Sequence, residues 1–132
     1  MSNESTRVLV AEDDLEIAAL LRATLQGAGY EITLVHDGEA ALQAALTSKP
    51  DVIVLDVMMP QMNGWEVCKS LRARGDFADV GILMLTAIGP NLNEMTAPLY
   101  GADDHLDKPF DIDELLGRIE RLIERKKAAA AQ

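Results

Sequence analysis

Apolar runs alternate with helical spacings along the whole chain. RVLVA, Arg7 to Ala11, reads as a strand. DLEIAALLRATLQGAG follows, with Ile17, Leu20, Leu21, Thr24, Leu25 and Ala28 at helical spacing and Gly27 and Gly29 marking the end. YEITLV, Tyr30 to Val35, alternates as an edge strand does. After His36, Asp37 and Gly38, the segment EAALQAALTS places Ala41, Leu42, Ala45 and Leu46 on one helical face. VIVLD, Val52 to Asp56, and GILMLTA, Gly81 to Ala87, have no polar side, which predicts strands covered on both faces. Asn63 with Glu66 predicts a capping box at the start of a helix. GADDHLDKPF holds a short fifth strand, and a last helix starts at Asp111. There Glu114 would complete a capping box, Phe110 would staple onto Leu115, and Ile112, Leu115, Leu116, Ile119, Leu122 and Ile123 would form the buried stripe. Arg125, Lys126 and Lys127 sit where a helix end favours cations.

About five strand–helix units in alternation predict an α/β fold, a doubly wound parallel sheet with helices on both faces. The chain has 132 residues, one domain's worth, and an apolar fraction of 48%. One cysteine, Cys68, rules out an internal disulfide and suits a reducing, cytoplasmic setting. No run approaches the ~18 apolar residues of a membrane span, and no signal peptide is visible. A net charge of -10 disfavours direct binding to nucleic acid.

Sites in such folds form at the carboxyl ends of the strands. Those ends carry Glu12-Asp13-Asp14, Asp56, Thr86 and Lys108-Pro109. Clustered carboxylates raise one another's pKa unless a counter-charge is present. Oxygen donors without His or Cys point to Mg²⁺. With Lys108 as a second positive charge and the Thr86 hydroxyl as a donor, the set suits phosphoryl transfer, with Asp56 as nucleophile. Taken singly, each residue has a plainer role. The acidic triplet caps a helix, a role assigned here to Asp14; Asp56 is a turn residue, Thr86 a strand residue and Lys108 a solvated cation.

VLVAEDD, VIVLDVMMPQMNGWEV, ILMLTA and GADDHLDKPF, in this order and spacing, resemble the response-regulator receiver domains of the chemotaxis, CheY-like type. The resemblance implies a flavodoxin-like (βα)5 fold with strand order 2-1-3-4-5. It implies a tail over 1–6, a receiver domain over 7–125 and a tail or linker stub over 126–132. Glu12 and Asp13 match the acidic pair that holds Mg²⁺. Asp56 matches the phosphoacceptor and Met58 the residue whose backbone carbonyl is a metal ligand. Thr86 matches the switch hydroxyl that closes onto the phosphoryl group, and Lys108 matches the ion-pairing lysine. Lys108-Pro109 matches a cis peptide bond, and Pro60 and Gly64 match the turn into the third helix.

His105 stands where the family usually has Tyr or Phe as a switch ring. Histidine adds the expectation that activation couples to pH. Met58 and Ile88 occupy the positions that gate the attacking water, and both are apolar, which predicts slow loss of the phosphoryl group. Pro98 falls inside the helical spacing of Leu92, Met95 and Leu99, which predicts a short or kinked fourth helix there. Met59 reads as core filler. The implied partners are a sensor histidine kinase or histidine phosphotransfer protein and a downstream effector, with no nucleic acid and no membrane. The implied state is a monomer or a phosphorylation-promoted dimer.

Other readings compete. A receiver-like docking module would need no phosphorylation. An aspartate-nucleophile phosphatase would have a second acid where Met58 stands, and a flavodoxin-like carrier would have a phosphate-cradling loop where Glu12-Asp13-Asp14 stands.

Overall fold

The computed structural model describes residues 6–86 and 101–131. Five strands, β1 (Arg7–Ala11), β2 (Glu31–Val35), β3 (Val52–Asp56), β4 (Gly81–Thr86) and β5 (Asp104–Asp107), form one sheet in the order β2-β1-β3-β4-β5. Every neighbouring pair is parallel. This is the order the family resemblance implied. The chain leaves β1 for β2 on one side and returns to β3 on the other, so a crevice opens at the carboxyl ends of β1 and β3.

The period-2 alternation of the strands sorts the core into two layers. Leu9, Ala11, Ile53, Leu55, Ile82 and Met84 face α2 (Gly38–Ser48) and α3 (Gly64–Arg72), meeting Ala41, Ala45, Trp65, Val67, Cys68 and Leu71. Val8, Val10, Val52, Val54, Leu83, Leu85 and Leu106 face α1 (Leu15–Gly27) and the C-terminal helix (Ile112–Ala131), meeting Leu21, Leu25, Leu115, Ile119, Leu122 and Ile123. β3 and β4 are buried at every position, as their unbroken apolar runs require. Each fully buried Leu or Ile contributes about 2 kcal/mol, so the two layers supply the driving force without staples. Burial pushes the Cys68 thiol up to about 11, so it packs as a small apolar group.

The helix starts follow local hydrogen bonding. Asp14 caps α1, its Oδ1 accepting from the amides of Glu16 and Ile17 at 2.9 and 3.1 Å. Asn63 and Glu66 form the predicted capping box. Asp37 caps α2 through the amide of Ala40 at 2.7 Å. Asp37→Ala is therefore expected to lower stability by about 1 kcal/mol, read as a lower midpoint in urea unfolding. Gly29, at φ 96, ends α1 in the left-handed region, where glycine meets no Cβ penalty.

Three details differ from the sequence reading. Leu20 is 48% exposed, because Leu21 and Leu25 take the contact with the sheet. At the C-terminal helix, Asp111 accepts from the amide of Asp113 at 2.9 Å, while Glu114 turns along the helix to Arg118 at 3.2 Å. The same helix runs on through Lys126 and Lys127 to Ala131, so these cations lie inside it. Lys126 Nζ is 3.0 Å from Asp51 Oδ1, and Asp51 Oδ2 accepts from the amide of Arg7, which ties the helix to the amino ends of β1 and β3.

Arg72, at the end of α3, organises the approach to β5. Its guanidinium donates to the carbonyls of Gly101, Phe77 and Val80 and pairs with Asp103 at 2.7 Å. Gly101 has φ 84, and a Cβ there would lie 2.7 Å from Arg72 Cγ. The expectations for Ile88 and for the helix around Pro98 lie outside the described residues. Among the described residues, no helix is long and apolar enough to cross a membrane.

Candidate functional site

The crevice predicted by the strand order holds the predicted residues. Glu12, immediately after β1, is fully buried, and Asp56, the last residue of β3, is 2% exposed. Asp13 is exposed at the mouth. One carboxylate oxygen from each lies within 4.8 Å of the others. Lys108, just after β5, reaches in from the other side, its Nζ 2.7 Å from Glu12 Oε1 and 3.3 Å from Asp56 Oδ1. The Lys108–Pro109 bond is cis, as the resemblance implied. Thr86 is buried at the end of β4, and its carbonyl accepts from the Lys108 amide at 2.7 Å. In the β4–β5 register Thr86 pairs with Asp107 and Met84 with His105, so Thr86 and His105 share one face of the sheet.

The electrostatics follow from burial. Withdrawal from water, contacts with Glu12 and Asp13, and the Glu12 charge push Asp56 up to about 8 against the pull of Lys108. For Lys108, burial acts downward, but the contact with Glu12 and the charges of Asp56 and Glu12 outweigh it, and its pKa is raised. Glu12 Oε2 accepts from the Asp14 amide at 3.1 Å. Glu12 Oε1 is fully buried and meets the Lys108 ammonium as a close ion pair. Three clustered carboxylates against one ammonium, with oxygen donors and no His or Cys among them, fit a hard divalent cation.

The loop after Asp56 fixes its position. The Met58 amide donates to Asp56 Oδ1 at 3.2 Å, while the Met58 side chain is 64% exposed at the rim. Met59, 8% exposed, belongs to the core, as predicted. Gly64 opens α3, its amide bonded to the Val57 carbonyl at 3.0 Å. A Cβ on Gly64 would lie 2.5 Å from the Asp56 carbonyl oxygen, so this glycine is required by close approach. Gly64→Ala is expected to displace the Asp56 backbone and lower the urea midpoint, at a cost of about 2 kcal/mol.

The structure thus brings Glu12, Asp13, Asp56 and Lys108 together and sets Thr86 on the neighbouring strand end. His105 lies farther along β5, outside the cluster. Two features escaped the sequence reading: the Arg72 hub, and the β2–α2 corner at His36 to Gly38, which touches both acidic loops. Gly38, directly after a capping aspartate, was the available signal.

Comparisons agree with this geometry. The family model described as response regulator receiver domain matches residues 8–120. The response regulator MprA of Mycobacterium ulcerans is 47% identical over 124 residues, covering 93% of this chain and 52% of that protein. The same regulator from Mycobacterium tuberculosis is 47% identical and 53% covered. The chain therefore spans about half the length of the curated relatives it matches. Among solved structures, the receiver domain of Francisella response regulator 1452 superposes with a TM-score of 0.85 at 36% identity, covering 92% of this chain and 98% of that one. The receiver domain of sensor histidine kinase PA1611 from Pseudomonas aeruginosa, solved with a magnesium ion in its active-site cleft, has a TM-score of 0.83 at 30% identity. It covers 90% of this chain and 98% of that one. The fold, the acidic crevice and these matches agree, and the chain belongs to the response regulator receiver domains.

Proposed function

We propose that Asp56 accepts a phosphoryl group in the presence of Mg²⁺, from a sensor histidine kinase or a histidine phosphotransfer protein, and that this sets a signalling switch. The observation that carries the reading is the buried Glu12–Asp56 pair with Lys108 Nζ between them and Asp13 open at the mouth. An Asp56 oxygen attacks phosphorus, the bond from phosphorus to the donor's imidazole nitrogen breaks, and the electron pair leaves with the imidazole. Lys108 faces the phosphoryl oxygens, and the Thr86 hydroxyl donates to one of them. Glu12, Asp13, Asp56 and the Met58 carbonyl would hold Mg²⁺, which supplies the positive charge that offsets the phosphoryl oxygens. His105, on the Thr86 face of the sheet, is the switch residue of this reading, and whether its charge couples activation to pH is read from phosphorylation-dependent shifts at pH 6 and pH 8.

The test locates the bond. The protein is treated with acetyl phosphate and Mg²⁺, then with borohydride, and its peptides are mapped by mass. Homoserine at position 56 supports the reading. An unmodified Asp56 under all conditions favours the docking module.

Met58, exposed and apolar at the rim, supports slow hydrolysis of the aspartyl phosphate. A Met58→Asn, Ile88→Glu double variant is expected to lose the phosphoryl group severalfold faster than the parent in a mass time course.

A further inference from the structure

We propose that the corner between β2 and α2, from His36 to Gly38, is a positioning bracket that holds the two acidic loops at the spacing a divalent cation needs. This rests on the reading of the crevice as a Mg²⁺ site.

One end of the corner grips the loop after β1. The Glu12 amide donates to the Val35 carbonyl at 3.1 Å. On its other side, the Glu12 carbonyl lies 3.1 Å from His36 Nδ1. A carbonyl oxygen only accepts, so Nδ1 carries the hydrogen and donates. Both backbone polar groups of Glu12 are thus held by consecutive residues, Val35 at the end of β2 and His36 at the start of the corner, which leaves its carboxylate to face the crevice. The His36 side chain belongs to an exposed residue, so its contribution is this hydrogen bond rather than core packing.

The other end grips the loop after β3. The Gly38 amide donates to the Pro60 carbonyl at 3.3 Å. The same carbonyl accepts from the Met62 amide at 2.8 Å, closing a tight turn around Gln61 at φ 72. A Cβ on Gly38 would overlap the Met62 carbonyl, so the two loops touch backbone to backbone. Asp37, between the two grips, is fixed as the cap of α2. The corner therefore links Glu12 to the loop that begins at Asp56 and carries Met58, in addition to the β1–β3 pairing.

The test is isothermal titration of the metal-free protein with MgCl₂, beside melting of the same samples. His36→Ala removes the donor and is expected to weaken Mg²⁺ binding about tenfold, whereas His36→Asn, whose amide nitrogen takes the place of Nδ1, restores it to within about twofold. Metal-free melting temperatures should agree across the three proteins. If the parent binds no Mg²⁺, the crevice reading falls and the bracket with it. If the parent binds and His36→Ala binds equally well, the bracket alone is overturned. Equal loss in both variants, or a loss that tracks the melting temperature, also overturns it.

Discussion

Asp56→Asn is expected to stabilise the metal-free domain at pH 8 by on the order of 2 kcal/mol while abolishing phosphoryl uptake. The carboxyl of Asp56 sits at about 8 when folded, above its ordinary value of 3.8, chiefly because burial disfavours the charged form. Between those two values the folded chain holds a proton that the unfolded chain has released. Stability contributed by this group is therefore full below about 4 and falls as pH rises towards 8. Asparagine keeps the shape without the titration, so the difference between variant and parent grows across that window and levels off above it. Urea unfolding from pH 5 to pH 8.5 in EDTA checks this. A parent–variant difference that does not change with pH would contradict it. A Mg²⁺ ion held by the folded parent would stabilise it by linkage, so adding MgCl₂ at pH 8 is expected to narrow the gap.

Lys108→Met is expected to cost about 3 kcal/mol at pH 7 without metal, because it strands a buried carboxylate. Glu12 is fully buried, and the Lys108 ammonium at 2.7 Å is its charge partner. A methionine of similar length fills the space but leaves Glu12 either ionised without a counter-charge or forced to take up a proton. The loss should shrink at low pH, where the carboxylates are neutral, and shrink again with Mg²⁺. A variant as stable as the parent in EDTA at pH 7 would show that the pair carries no such weight. The phosphatase alternative meets a separate obstacle, since the position it needs for a second acid is the 64%-exposed Met58.

The sequence reveals the fold where periodicity is unambiguous. β3 and β4 are apolar on both sides because both faces are covered, and that pattern, set within alternating strand and helix spacings, implies the doubly wound sheet. The site is legible because its four components fall at strand ends, which topology brings together. Less accessible are features set by tertiary approach. Leu20 satisfies helical spacing as well as Leu21 does, and only the packing of α1 on the sheet, through Leu21 and Leu25, decides which of them is buried. Glu114 fits a capping box until Arg118, one turn on, offers a stronger partner. Nothing in the local sequence distinguishes Arg72, although its guanidinium satisfies the carbonyls of Phe77, Val80 and Gly101. His36 carries no local signal either, because its hydrogen bond runs to the carbonyl of a residue 24 positions earlier.

The proposed role of Asp56 is that of a Mg²⁺-dependent phosphoacceptor. Its most direct test is intact mass after incubation with acetyl phosphate, with Mg²⁺ and with EDTA, beside Asp56→Asn. A gain of one phosphoryl group is expected in the parent with Mg²⁺, and none in EDTA or in the variant. An unchanged parent mass in Mg²⁺, or an equal gain in Asp56→Asn, would contradict it.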